Sequence, residues 1–291
     1  MKGMETFIAI AASKTLNEAA HWMQLSPSAV SHALKNLEQS LGVALVDRKK
    51  GLKQITLTPA GKELLPLAIR YTDVVNEIQH ITSSMRHKIS IGSVESINHC
   101  LFPGFLPELE KYDLDFRIET NTSIELQRQV ESGEIDVAFV INQTPSLNLD
   151  ISTFLVEDMK VIRRFDCGTP VKHPESVDAA SLDPGYEVYV NWDLSFQIWH
   201  DSIWSKHRRA RFQTNSMVHI ESFLVDERYW IIAPESVARF FEKKGLYVQD
   251  IHPSPPERLC YKITRHSISQ YSAPALKIFE DVLEEWKKNI T

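Results

Sequence analysis

No apolar run in this sequence approaches the roughly 20 residues that a membrane-spanning helix needs. Its first residues carry Glu5 within an amphipathic pattern where a signal peptide would have a basic and then an apolar stretch. No membrane-spanning helix and no membrane partner are therefore expected, and the expected location is the cytoplasm. Cysteine is scarce: Cys100, Cys167 and Cys260 are odd in number and far apart. They build no disulfide framework and match no zinc knuckle. The 11 histidines lack H-E-x-x-H or any other compact ligand spacing, so no metal site is expected. The G-x-S-x-G elbow, the P-loop and the G-x-G-x-x-G turn are also missing, which removes the common hydrolase, nucleotidase and dinucleotide signatures. The expectation is a protein that is not an enzyme, with no catalytic residue and no cofactor.

What is present describes a soluble chain of more than one compact unit: 291 residues, 43% of them hydrophobic and 24% charged. The net charge of −6 conceals a division. Residues 1–88 hold 11 Lys and Arg against 7 Asp and Glu, net +4, while the remaining 203 residues carry −10. A basic head on an acidic body favours nucleic acid as the partner of the head.

Residues 15–42 organise the head. Thr15 and Glu18 have capping-box spacing, and Leu16, Ala19, Ala20 and Met23 line the inner side of a short helix. A few residues later Ser26 is an N-cap candidate, with Pro27 at the first helical position. In the helix that follows, Val30, Ala33, Leu34, Leu37 and Leu41 form one apolar stripe. Ser28, Ser31, His32, Lys35 and Gln39 form an opposite polar face without a carboxylate. A helical bundle would show similar stripes, but the short connection and small donors point to a helix-turn-helix whose second helix enters a major groove.

A helix at about 2–13, burying Met4, Phe7, Ile8 and Ala11, completes a three-helix core. Apolar runs at 43–46 and 55–57 flank DRKKGLKQ, which reads as a two-stranded wing. Arg48, Lys49, Lys50 and Lys53 near its tip can neutralise phosphates. Thr58 and Pro59 then open a helix of about 27 residues, some 40 Å long at 1.5 Å per residue. Leu64, Leu67, Tyr71, Val74, Ile78, Ile81 and Met85 repeat in 3-4 steps along it, the seam of a coiled coil, which predicts a homodimer. Pro66 inside this helix should kink it or move its start.

From Lys88 strands and helices alternate. Strands are expected at 88–94, 114–120 and 135–141 and helices at 98–111, broken by Pro103 and Pro107, and at 123–133. The second set has strands near 186–190, 211–215, 229–233 and 259–265, and helices near 195–206, 217–225, 235–245 and 273–289. The apolar run at 135–141 reads as a strand of a parallel sheet covered on both faces. Two such sets imply an α/β body of two lobes with a cleft between them. The expected domains are 1–58 for the winged head, 59–87 for the linker helix and 88–291 for the body. Within the body, lobe 1 is expected at about 88–161 and 266–291, and lobe 2 at about 162–265.

Residues 1–61 resemble the DNA-binding domain of the LysR-type transcriptional regulators. The resemblance rests on Phe7, Ser13, the T-L-x-x-A-A run from Thr15 to Ala20, and L-S-x-S-A-V-S from Leu25 to Ser31. It continues through Leu34, Leu37, Glu38, Leu41-Gly42, Leu45, Arg48 and L-T-P-A-G from Leu57 to Gly61. It implies a winged helix-turn-helix, a long linker helix and a two-lobed effector domain resembling periplasmic binding proteins. It also implies an inverted-repeat operator in double-stranded DNA, a dimer or tetramer, a small-molecule inducer, expected to be anionic, and RNA polymerase as a further partner. Pro27, Ser28, Ser31 and His32 occupy the family's base- and backbone-contacting positions, with Lys35 and Arg48 toward phosphates; Lys49 and Lys50 join the DNA-binding set from the basic turn alone. His32 stands where Arg is common, and Val46 where Phe is usual.

For the inducer the resemblance implicates strand ends and helix starts, where exposed N–H groups suit a carboxylate. These are Ser93, Ser96 and Asn98, then Thr122 and Ser123, then Asn191, Trp192 and Asp193, then Asn215 and Ser216. Each also reads as an ordinary helix cap. Trp199 and Trp204 read as core, the run 206–211 as a solvated surface, and Cys100 as a buried thiol more readily than as a redox sensor. A two-lobed solute-binding protein without DNA function is the alternative, against which the basic head counts.

Overall fold

Apolar faces, and at several helices a side-chain cap, mark the elements of the computed structural model. It describes residues 2–13, 15–47, 55–81, 87–164, 174–204, 210–268 and 272–288. In the head, α1 (Lys2–Ala11), α2 (Leu16–Trp22) and α3 (Pro27–Leu41) pack around Phe7, Ile8, Ile10, Ala19, Ala20, Val30 and Leu34. The caps are those expected. Thr15 Oγ1 accepts from Glu18 N at 3.1 Å and Ser26 Oγ from Ala29 N at 3.2 Å. Gly42 ends α3 with φ of 68°, a left-handed conformation that suits a residue without Cβ. Gln24 takes a similar value, 53°, in the turn between α2 and α3.

The wing is a minimal hairpin, with β1 (Val46–Asp47) antiparallel to β2 (Thr56–Leu57). Arg48, Lys49, Lys50 and Lys53, expected near its tip, lie outside the described residues. α4 (Pro59–Ile81) starts at Pro59 with Pro66 inside it, so Pro66 does not move the start of the helix. Its heptad pattern divides between two duties. Leu64, with Leu65, Ala68 and Ile69, packs on the core of the head. Leu67, Tyr71, Val74 and Ile78 stay 56%, 39%, 49% and 58% exposed, an apolar strip that one chain leaves open. Leu64 is thus a core residue and not part of the free seam.

Lobe 1 begins with β3 (His87–Ser93), α5 (Glu95–Cys100), α6 (Phe102–Leu109), β4 (Leu114–Thr120), α7 (Ser123–Ser132) and β5 (Val137–Val140). β6 (Leu149–Glu157) closes this part of the chain. The stretch 98–111 is divided as expected ahead of Pro103, which starts a second helix after Leu101, whereas Pro107 lies inside that helix and does not break it. Lobe 2 contains β7 (Met159–Arg163), β8 (Ser176–Asp178), β9 (Val188–Tyr189), α8 (Leu194–Ile203), β10 (Phe212–Gln213) and α9 (Met217–Phe223). It continues through β11 (Trp230–Pro234), α10 (Glu235–Glu242) and β12 (Tyr247–His252). β13 (Arg258–Arg265) and α11 (Ser272–Lys287) return to lobe 1.

The larger sheet has the order β4-β3-β5-β13-β6, and the lobe 2 sheet runs β11-β7-β12-β8. β3 pairs parallel with β4 and β5, whereas β13 is antiparallel to β5 and β6. Two boundaries of the sequence reading are thereby corrected. β13 belongs to lobe 1, since it is hydrogen-bonded on both edges there, and β7 belongs to lobe 2. The chain crosses between lobes at Asp158 and again between His252 and Arg258, so both crossings lie side by side and form the hinge. Each lobe has its own core. Phe102, Phe105, Phe139 and Phe279 are prominent in the first, and Trp204, Trp230 and Phe241 in the second. Trp204, 6% exposed, is core as expected.

Among the described residues, Arg128 joins body to head. Arg128 of α7 pairs with Glu18 of α2 at 2.7 Å and lies over the Trp22 ring at 4.7 Å.

Candidate DNA interface and effector cleft

The outer face of α3 is open. Pro27, Ser28, His32 and Lys35 are exposed and Ser31 is partly so, while Val30 and Leu34 on the reverse are fully buried. The absence of a carboxylate from this face has a structural cause. Glu38, the one acid in α3, turns back, and its Oε1 accepts from Leu45 N at 2.8 Å and Val46 N at 3.2 Å. It satisfies the start of the wing and fixes the angle between wing and helix. Asn36, not singled out from the sequence, is exposed beside His32, and its Nδ2 donates to His32 Nδ1 at 3.1 Å. That leaves Nε2–H as the outward-facing atom, a donor suited to guanine O6 or N7, where Arg would present two. The wing is locked from the other side. Thr58 Oγ1 donates to Ala44 O at 2.7 Å and accepts from Gly61 N at 3.0 Å, capping α4.

At the edge between the lobes an open cleft of about 610 Å³ is lined by Glu95, Asn98, His99, Pro103 and Thr120 of lobe 1 and by Phe240 of lobe 2. Of the residues expected there, Asn98 is in its wall, with Nδ2 donating to Thr120 Oγ1. Ser216 is at the lobe junction, where its hydroxyl donates to Glu95 Oε1 at 2.9 Å beside Met217 N at 3.0 Å. Ser96 is buried, accepting from Arg258 Nη1 at 2.8 Å.

The others are structural or peripheral. Ser93 is fully buried and donates to Val94 O, and Thr122 caps α7 by accepting from Glu125 N. Ser123 Oγ accepts from Ile141 N and Asn142 N at 3.2 and 3.3 Å. Trp192 is 4% exposed and donates to Ile232 O, and Asp193 caps α8 at Phe196 N. Asn191 and Asn215 are exposed and absent from the cleft lining. Thr122 and Asp193 are thus drawn to the orphan N–H groups of the helices they start.

The hinge holds what the sequence did not announce. Arg258, 1% exposed, donates from Nε and Nη2 to Glu157 Oε2, the former at 3.0 Å. Glu157 Oε1 accepts from Ser236 N at 2.8 Å, and the guanidinium stands 5.5 Å from the Trp192 ring centre. Lobe 1 thus contributes Arg258, Glu157 and Ser96, and lobe 2 contributes Ser236 and Trp192. Burial works to raise the Glu157 carboxyl, but Arg258 and the Ser236 hydrogen bonds outweigh it and hold it below the usual carboxylate range. Cys100 and Cys260 border this group, and burial pushes both thiols up to about 12. Such protonated thiols are poor nucleophiles, as expected for structural cysteines. Cys167 lies outside the described residues, as does most of the basic run 206–211. Among the described residues no group of three or more His, Cys, Asp or Glu side chains is placed to hold a metal, and no helix is long and apolar enough to cross a membrane.

Comparison with known proteins matches the whole of this layout. A full-length OxyR from Pseudomonas aeruginosa superposes with a TM-score of 0.60 at 18% identity, covering 97% of this chain and 93% of that one. CbnR in complex with its target DNA superposes with a TM-score of 0.50 at 18% identity, covering 98% of both. The HTH-type transcriptional regulator YfeR of Shigella flexneri is 26% identical over 178 residues, which span 59% of this chain and 57% of that relative. Residues 1–62 match the bacterial regulatory helix-turn-helix proteins of the lysR family, and residues 82–287 match the LysR substrate binding domain. With the open recognition face at one end and the two-lobed cleft at the other, the chain belongs to the LysR family of transcriptional regulators.

Proposed function

We propose that this protein reads a duplex operator through α3 and the wing, pairs with its own copy along α4, and answers a small molecule held between the lobes. The observation that carries the DNA reading is the exposed outer face of α3, kept free of negative charge because Glu38 is spent on the wing backbone. Pro27, Ser28, Ser31, His32 and Lys35 meet the DNA, and the basic residues Arg48, Lys49 and Lys50 fall at the phosphates. Replacing Ser31 and His32 together by Ala is expected to cost about 1–3 kcal/mol of discrimination per lost base contact while leaving binding to random duplex nearly unchanged. Gel-shift titration against operator and scrambled duplex measures this. A double variant that keeps the wild-type ratio would remove α3 from the interface.

An inverted-repeat operator requires two heads, and the open strip of Leu67, Tyr71, Val74 and Ile78 supports self-association. Placing Asp at both Val74 and Ile78 is expected to leave monomers at micromolar concentration in sedimentation velocity, because two charges would have to be buried in the seam. Unchanged dimers would place the contact elsewhere.

The cleft supports an effector that biases the hinge, and α7 offers a mechanical route to the head. It begins at lobe 1's Thr122 cap and reaches Glu18 and Trp22 through Arg128. Coupling requires the effector to prefer one hinge angle over another. In this reading the protein works in the cytoplasm and acts on RNA polymerase at the promoter.

A further inference from the structure

Glu95 stands where an anionic effector was expected to dock. Its Oε1 takes both donors that lobe 2 presents at the start of α9, Ser216 Oγ at 2.9 Å and Met217 N at 3.0 Å. The hinge repeats the arrangement: Glu157 takes Ser236 N and the Arg258 guanidinium, and Arg258 in turn donates to Ser96. Ser216 Oγ, Met217 N, Ser236 N and the Arg258 guanidinium are therefore committed to carboxylates and hydroxyls of the chain itself.

What still faces the cleft has the opposite character. Oε2 of Glu95 receives no hydrogen bond among the described residues, and beside it are the Asn98–Thr120 pair, His99 and the apolar walls of Pro103 and Phe240. The neighbouring cation, Lys244, lies 4.8 Å from the Phe240 ring centre and is neutralised by Glu221 at 3.0 Å. Arg258 is buried beneath its own partner. No arginine or lysine is among the described residues that line the pocket, so a ligand anion entering here would meet Glu95 without a cation in the lining to offset it, whereas a cation would complete the half-used carboxylate.

We propose that the cleft selects an effector with a cationic head, an ammonium or guanidinium group on an apolar body, and that Glu95 determines this choice of charge. The inference rests on the cleft being the effector site and reverses the anionic expectation drawn from helix starts. It also assigns Glu95 a second role as a latch across the lobes, which a cation drawn to Oε2 would perturb directly.

The test uses the full-length protein and two probes of the same shape and opposite charge, phenethylammonium and phenylacetate. Calorimetric titration is combined with hydrogen exchange over residues 95–103 and 217–223. Glu95→Gln keeps an oxygen that can accept from Ser216 and Met217 but removes the charge, so the latch and the fold are retained. The expected result is binding of the ammonium at least about tenfold tighter than the carboxylate, protection of 95–103, and loss of the preference in Glu95→Gln. A preference for phenylacetate, or an ammonium preference that survives in Glu95→Gln, overturns the cationic assignment while protection of the same segments leaves the cleft as the effector site. If neither probe protects these segments at tens of millimolar, the cleft reading falls together with the proposal.

Discussion

Replacing Arg258 by Ala is expected to cost about 3–5 kcal/mol, because it strands Glu157 as an uncompensated charge in a buried hinge. Glu157 is only 5% exposed. Ser236 N would remain its partner, but one backbone donor cannot replace a guanidinium. Urea unfolding followed by tryptophan fluorescence should show the loss. The companion experiment separates charge from packing: combining Arg258→Met with Glu157→Leu removes both charges and is expected to recover most of the stability. A single variant costing under about 1 kcal/mol would mean that water reaches the pair.

The same pair sets a pH dependence with a defined sign. The folded Glu157 pKa is held below its ordinary value, so the folded state binds this proton less tightly than the unfolded chain does. Its stabilisation is complete above the ordinary carboxylate pKa, about 4.3 for Glu, and is lost as pH falls through the lower folded value. Between neutral pH and about pH 5 the contribution should be flat. Glu157→Gln should show a shallower acid limb than the wild type, and identical limbs would assign the acid sensitivity to other carboxylates.

Gly61→Ala is the second large effect expected. A Cβ built at this position would lie 2.2 Å from Leu45 O, a backbone atom that cannot swing aside. The chain would have to part α4 from the wing, straining the Thr58 bonds to Ala44 O and Gly61 N, at a cost of about 3 kcal/mol. Circular dichroism should show an early transition of the head, and operator affinity should fall even though no DNA-facing residue has changed. An unaltered melting profile would show that the wing and α4 can separate freely. This contact also gives the L-T-P-A-G run its physical meaning: Thr caps, Pro starts the helix, and Gly admits the Leu45 carbonyl just ahead of β1.

The head was legible because its information is local. Caps at Thr15 and Ser26, the αL Gly42 and the stripe through Val30 and Leu34 are short-range relations within a few residues, and each maps directly onto a helix end or face. Leu41 shows the limit of periodicity: it continues the stripe but is 44% exposed, since the helix outlasts the core beneath it. In the body, continuous apolar runs such as 137–140 mark buried strands wherever they fall. Less apolar strands such as β6 and β12, with mixed burial, carry no comparable signal.

By itself the sequence determined the winged head, the outward polar face of α3, the long helix with its apolar seam, and a body of alternating strands and helices. Those features depend on periodicity and capping, which act over one or two turns of chain. Tertiary structure alone decided that β13 returns to lobe 1, that Arg258 and Glu157 meet across 101 residues at the hinge, and that Glu95 reaches the second lobe 121 residues away. A lone Arg or Glu looks the same in sequence whether solvated or buried. Which of them loses its water, and what charge the cleft then prefers, is fixed only when distant segments close around it.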